Sequence, residues 1–256
     1  MDNGDIVMDN LSTERLHNMK NLRAGALLLG LFLITARAAE AEKETILPKE
    51  AQEVIRKAEA LQSYRAKFTL EAKEEEGKTF RLRGTMLFQK PQQRWLEIYE
   101  ADAQEPSQIL IADGKTEWQY YPQNSVVYRA LNPPPPPGPH RPFAEAQPGT
   151  LRFIRLVEEG GQKRLRFEAE PLPSMKEGAP VPIQKMRIEV GEKDGLARKL
   201  ELLDSKGQSV LTQSFTEVEI NVAVDKNRFS FVPQEGVAVM DLPVSELGIQ
   251  PGGKRS

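Results

Sequence analysis

The sequence predicts a mainly β domain of the α+β class, an antiparallel meander with one face covered by helices. Three observations predict it. Short runs alternate apolar and charged residues at a period of two. Tight-turn signals separate those runs. Two other stretches carry apolar residues at helical spacing instead.

The first helix is expected after Pro48, over residues 49–63. Ala51, Val54, Ile55, Ala58 and Leu61 fall on one stripe, and Glu, Gln, Arg and Lys fill the rest. A helix packed on a sheet explains that stripe by itself.

The period then drops to two. Tyr64, Ala66, Phe68, Leu70 and Ala72 alternate with Arg65, Lys67, Thr69 and Glu71. "EEEGK" turns the chain. Phe80, Leu82, Gly84, Met86 and Phe88 then alternate with Arg81, Arg83, Thr85, Leu87 and Gln89. "KPQQ" leads into a third strand, residues 94–100, where Trp95 and Tyr99 oppose Leu96 and Ile98. Alternation alone does not choose a face there.

"ILIADGKTEWQYYP", residues 109–122, reads as a hairpin turned at Asp113-Gly114. Gly supplies the positive φ that such a turn needs. Trp118 and Tyr120 share one face of the return strand. The hairpin's apolar content places them inside, with Phe80, Leu82, Met86 and Phe88, which alternate with Arg81 and Arg83, either in an ordinary core or around a ligand. A sixth strand is expected at residues 125–129.

"NPPPPPGPHRPF", residues 132–143, lacks the amide donors of an interior strand and reads as a stiff surface loop. Thr150 then stands as an N-cap for a second helix. Leu151, Phe153, Ile154 and Val157 form its apolar side, and Gly160-Gly161 ends it. Strands resume at residues 163–170, 184–190, 197–204, 209–218, 228–231 and 237–240, with "EKDG" and "DSKG" as hairpin turns.

Met19 to Ala38, "MKNLRAGALLLGLFLITARA", has the parts of a secretory leader. Lys20 and Arg23 precede a short apolar run, and Ala36-Arg37-Ala38 matches the small-x-small cleavage rule. The apolar run is too short to span a bilayer comfortably. Met19 reads as the natural start, and residues 1–18 as an extension that such a leader does not use. The organisation expected is an extension and signal peptide over 1–38, a polar lead-in over 39–47, one domain over 48–241 and a flexible tail over 242–256.

The 256 residues carry a net charge of -2, with no long basic run, so nucleic acid is not an expected partner. There is no Cys and there are two His, of which His17 lies in the leader region. A nucleophile–base triad or a His-rich metal site has almost no material. No phosphate-cradling Gly loop is present. An enzyme is not expected, and neither is a cofactor or metal. The residues point to binding or carrying.

Four stretches carry a likeness to a known family. They are "IRKAEALQSYRAKFTLEA", "GTMLFQKPQQRWLEIY", the "ILIADGKTEWQYYP" hairpin and "NRFSFVPQEGVAVMD". In this order they resemble the outer-membrane lipoprotein carrier family of the LolA type, over roughly residues 48–241. The resemblance implies an unclosed antiparallel β-barrel of about 10–11 strands whose concave face is lidded by helices. It implies a periplasmic monomer that takes lipoprotein acyl chains from an inner-membrane releasing transporter to an outer-membrane receptor. Val54, Ile55, Ala58 and Leu61 would form the lid. Phe68, Leu70, Phe80, Leu82, Met86, Phe88, Trp95, Trp118 and Tyr120 would line the cavity. The family's latch Arg before the turn Pro is replaced by Lys90, so Lys90 and Arg94 are both latch candidates. Lys lacks the guanidinium fork. The proline run falls where the family continues towards a lid helix, which implies a lid of different shape. The alternative from the same fold is a carrier or sensor for another lipid or glycolipid.

Overall fold

A computed structural model of the chain describes residues 47–73, 78–133, 138–176, 179 and 181–242. The leader, the lead-in up to residue 46, most of the "EEEGK" turn, prolines 134–137 and the tail from 243 lie outside the described residues.

One helix, α1 (Lys49–Ala60), precedes the strands. It ends three residues before the expected boundary because the chain turns extended at Leu61. Six strands follow as a meander: β1 (Ser63–Lys73), β2 (Thr79–Gln89), β3 (Gln93–Glu100), β4 (Gln108–Ala112), β5 (Thr116–Tyr121) and β6 (Val126–Leu131). A second meander holds β7 (Arg152–Glu159), β8 (Gln162–Ala169), β9 (Lys185–Gly191), β10 (Ala197–Leu203) and β11 (Ser209–Ile220). The last strand is β12 (Ala238–Asp241).

β1 pairs with β11, which fuses the meanders into one 12-stranded sheet ordered β12-β6-β5-β4-β3-β2-β1-β11-β10-β9-β8-β7. All pairs are antiparallel except β12 with β6. The sheet does not close: β12 and β7 are its two edges. This is the mainly β, unclosed architecture expected, with one strand more than the upper expectation.

The alternation read in β1 and β2 sets the inner face. Tyr64, Phe68 and Leu70 face Phe88, Gly84 and Leu82 across the ladder, and all are buried. Gly84 is required there. A Cβ on it would lie 2.1 Å from the Glu97 carbonyl oxygen and 2.5 Å from the Phe68 ring. The core continues through Phe215, Leu200, Ile188 and Phe167 on β11, β10, β9 and β8. Arg81 and Arg83 point out to solvent.

The expected second helix is a correction. Residues 152–159 form the edge strand β7, paired with β8. Glu159 faces Gln162 across a two-residue turn, and Gly160 and Gly161 have φ of +58° and +74°. Two consecutive positive φ values are what a type I′ hairpin needs. The Gly pair is therefore a hairpin turn and not a helix end. Phe153 packs edge-on against Phe167 at 5.6 Å, which fixes β7 on the sheet. The expected strand over 228–231 is a second correction: Lys226–Phe229 is a short 3-10 helix, N-capped by Asp225, whose side chain accepts from the Asn227 amide at 3.0 Å.

Candidate functional site: the covered inner face

Among the described residues, two of the pieces of chain that cover the inner face shape the site. The first is α1. Val54 and Ala58 are buried and Ile55 is half-buried, while Leu61 is buried just beyond the helix end. The helix seats on the β9–β10 turn at Gly195, whose φ is +73°. A Cβ there would lie 2.3 Å from the Val54 carbonyl oxygen. Lys57 Nζ donates to the Glu192 carbonyl at 2.6 Å. In the same C-terminal turn, Lys90 Nζ donates to the Glu59 carbonyl. Lys90 thus ties the β2–β3 turn to the last turn of the helix, where carbonyls lack intrahelical donors.

The second piece is the segment from Gly138 to Gln147, which follows the proline run. No helix forms in it; successive turns do. It crosses the inner face and is held at a few points. The Ala197 amide donates to the Pro139 carbonyl at 2.8 Å. His140 stacks on Phe88 with ring centroids 4.2 Å apart. Tyr64 Oη and His140 Nδ1 are 3.0 Å apart. Phe143 meets Phe167 edge-on at 4.9 Å. The Gln147 amide donates to the Glu170 carbonyl at 2.8 Å. A residue of the supposed surface loop, His140, therefore lies inside the lid. The sequence signal for it was slight: a lone His among prolines.

Between this segment and the sheet remains a cavity of about 40 Å³, bounded by Arg141, Pro142 and Glu145 above and by Leu70, Leu200, Gln213 and Phe215 below. That space holds a few waters at most. At this point the cover and the sheet are nearly in contact. Burial pushes the Glu145 carboxyl up to about 7, against the lowering influence of Arg141. Burial pushes His140 down to about 4, helped by the charges of Arg141, Arg94 and Lys90.

The sheet brings together most of the expected lining. Phe68, Leu70, Leu82, Met86 and Phe88 are buried on the inner face, and Phe80 is half-buried against the same core. Trp95, Trp118 and Tyr120 are not with them. In register, Met86 faces Leu96, Leu96 faces Leu110, and Leu110 faces Gln119. Inner-face positions on β5 are therefore Glu117 and Gln119, only 1% and 3% exposed. Trp118 and Tyr120 lie on the outer face, where both pack against Phe231 at 5.6 and 5.8 Å. Trp95 is on that face too, under the Arg228 guanidinium at 5.2 Å. The C-terminal segment covers this half of the sheet from outside, so apolar residues occur on both faces of β3–β5. That second cover is what the hydrophobicity pattern could not show.

Arg94 is on the inner face and forms a buried ion pair with Glu117. It does not latch α1; Lys90 does. Among the described residues there is no cluster of His, Cys, Asp or Glu that could hold a metal ion. No described helix is long and apolar enough to cross a membrane.

Solved structures align with the chain, and the first of them shares its fold. An uncharacterized conserved protein from Thermus thermophilus aligns with a TM-score of 0.54 at 13% identity, over 76% of this chain and 100% of that one. The MucA/MucB complex of Pseudomonas aeruginosa aligns at 14% identity with a TM-score of 0.44, over 72% of this chain and 62% of that one. A LolA superfamily protein from Nitrosomonas europaea aligns at 11% identity with a TM-score of 0.32, over 71% and 97%. No curated protein matches the chain. The family model described as outer membrane lipoprotein carrier protein LolA matches residues 59–232, from the end of α1 to the segment that covers Trp118, and the chain belongs to that family.

Proposed function

We propose that this protein is a periplasmic carrier, and not an enzyme, that buries lipoprotein acyl chains on the inner face of its sheet. It would receive them from an inner-membrane releasing transporter and deliver them to an outer-membrane receptor. Export rests on the leader-like residues 19–38. Membership of the family supports the cargo class.

One observation carries the reading. Beside the short helix α1, a broad apolar sheet face is covered by a turn-rich segment that joins the sheet through rings and single backbone hydrogen bonds and not through a strand of the sheet. Magnitudes favour exchange of that cover for a ligand. Ten buried methylenes contribute about 8 kcal/mol. A stacked ring pair contributes about 1 kcal/mol, and each neutral hydrogen bond about 1 kcal/mol. The cover's own apolar burial, mainly Pro142 and Phe143, narrows the gap. The grip is then moderate, as a carrier that must release its cargo requires.

The test is mass spectrometry of what co-purifies with the protein expressed with its leader. Lipoproteins or their lipids in near-stoichiometric amount support the carrier. A ligand-free protein that also fails to bind a fluorescent acyl probe removes it.

A further inference from the structure

The inner face is not apolar throughout. Its β3–β5 part holds a line of buried polar side chains. Arg94 stands opposite Phe88 in register, beside the Phe88–His140 stack. Arg94 Nη2 donates to Glu117 Oε2. Glu117 Oε1 accepts from Gln119 Nε2 at 2.8 Å. Farther along the strands, Gln108 Nε2 donates to the Tyr121 hydroxyl at 3.0 Å. Glu117 and Gln108 are each 1% exposed.

Two atoms of this line are buried with no hydrogen-bond partner among the described residues, Arg94 Nε and Gln108 Oε1. Leaving buried polar atoms unpaired is costly, and folded proteins rarely do so. A sheet that only needed a core would carry apolar residues here. The open donor of Arg94 lies beside the cover, where a ligand entering beneath His140 would reach it first.

The charge around Arg94 selects the ligand. Glu117 already neutralises the guanidinium. A phosphate or carboxylate brought to Arg94 would meet the Glu117 charge at nearly the same distance. A neutral carbonyl meets only the open N–H. We infer that Arg94 reads the carbonyl of the ester or amide linkage between an acyl chain and its headgroup, while the chain itself lies on the apolar half of the face. This rests on the carrier reading and adds which part of the ligand is recognised by a polar contact.

The experiment compares two neutral lipids of equal chain length, a monoacylglycerol and the corresponding 1-O-alkylglycerol ether, as competitors of a fluorescent acyl probe. The ether lacks the carbonyl. The native protein should prefer the ester by about tenfold, as one hydrogen bond to a charged group implies. Arg94→Met combined with Glu117→Gln removes the ion pair as a unit and leaves Gln119 an acceptor. That variant should bind ester and ether alike, at the native affinity for the ether. Equal binding of the two lipids by the native protein overturns the inference and leaves the carrier standing, and that comparison needs no variant to fold. A preference that persists in the double variant also overturns it. Tighter binding of a phosphate-bearing lipid than of the ester overturns the neutral-carbonyl class. No binding of any of these lipids overturns both the inference and the carrier.

Discussion

His140 lies nearly parallel to Phe88, at 22° and 4.2 Å between centroids, and its Nδ1 is 3.0 Å from the Tyr64 hydroxyl. One residue of the covering segment thus touches two residues of the sheet's apolar face. His140→Ala should weaken the cover by about 1–2 kcal/mol, the sum of a stacked pair and a hydrogen bond. Its melting temperature should fall by a few degrees, while its affinity for a fluorescent acyl probe rises. A fall in both would show that His140 supports the fold without gating the face.

Glu145 gives the cover a pH dependence. Its carboxyl is raised to about 7 by burial in the covered state. A raised carboxyl favours the covered state most below its ordinary value, and that contribution is lost as pH rises from there to about 7. Taken alone, Glu145 should make acyl-probe affinity rise as pH increases to about 7 and the cover loosens, and a His140→Ala background isolates that rise from the opposing histidine. Glu145→Gln should flatten that rise. An unchanged profile in the variant would assign the pH dependence elsewhere. His140, lowered to about 4 by burial, acts in the opposite sense: protonation below its ordinary value disfavours the covered state in acid. The two groups are separable because Glu145→Gln leaves the His140 limb in place.

Gly195 tests the helix without touching the sheet. It holds a positive φ and lies directly under the Val54 carbonyl. Gly195→Ala should displace α1 from the β9–β10 turn and cost about 1–3 kcal/mol in stability. Thermal unfolding and proteolysis within residues 49–60 report it. Gly84→Ala should cost at least as much, because its Cβ would strike the Glu97 backbone and the Phe68 ring. A Gly84→Ala protein as stable as the native one would contradict the packing described for β2.

The parts of this fold that were legible in the sequence are those where one face is wet. β1 and β2 alternate cleanly because Arg65, Lys67, Arg81 and Arg83 stay in solvent while Tyr64, Phe68, Leu82 and Phe88 stay inside. The reading inverted on β5. Glu117 and Gln119 go inside because Arg94 and a neighbouring amide satisfy them, and Trp118 and Tyr120 go outside because Phe231 covers them. Neither partner is near β5 in sequence, so hydrophobicity along the strand could not find them. β7 was misread for a local reason: Leu151, Ile154 and Val157 are three apart, and Gly160-Gly161 suits a helix end as well as a hairpin. The lid helices expected from the family are replaced in part by turns after the proline run, and Lys90 takes the latch position to the helix end.

The central claim is that residues 138–147 leave the inner face to admit an acyl chain. The chain has no Cys, so a single engineered disulfide can hold them in place. The Ala197 amide donates to the Pro139 carbonyl at 2.8 Å, which brings these two backbones to the spacing a disulfide spans. Pro139→Cys with Ala197→Cys should bind a fluorescent acyl probe when reduced and lose that binding when oxidised, with recovery on reduction. Equal binding by the oxidised and reduced forms would contradict the account.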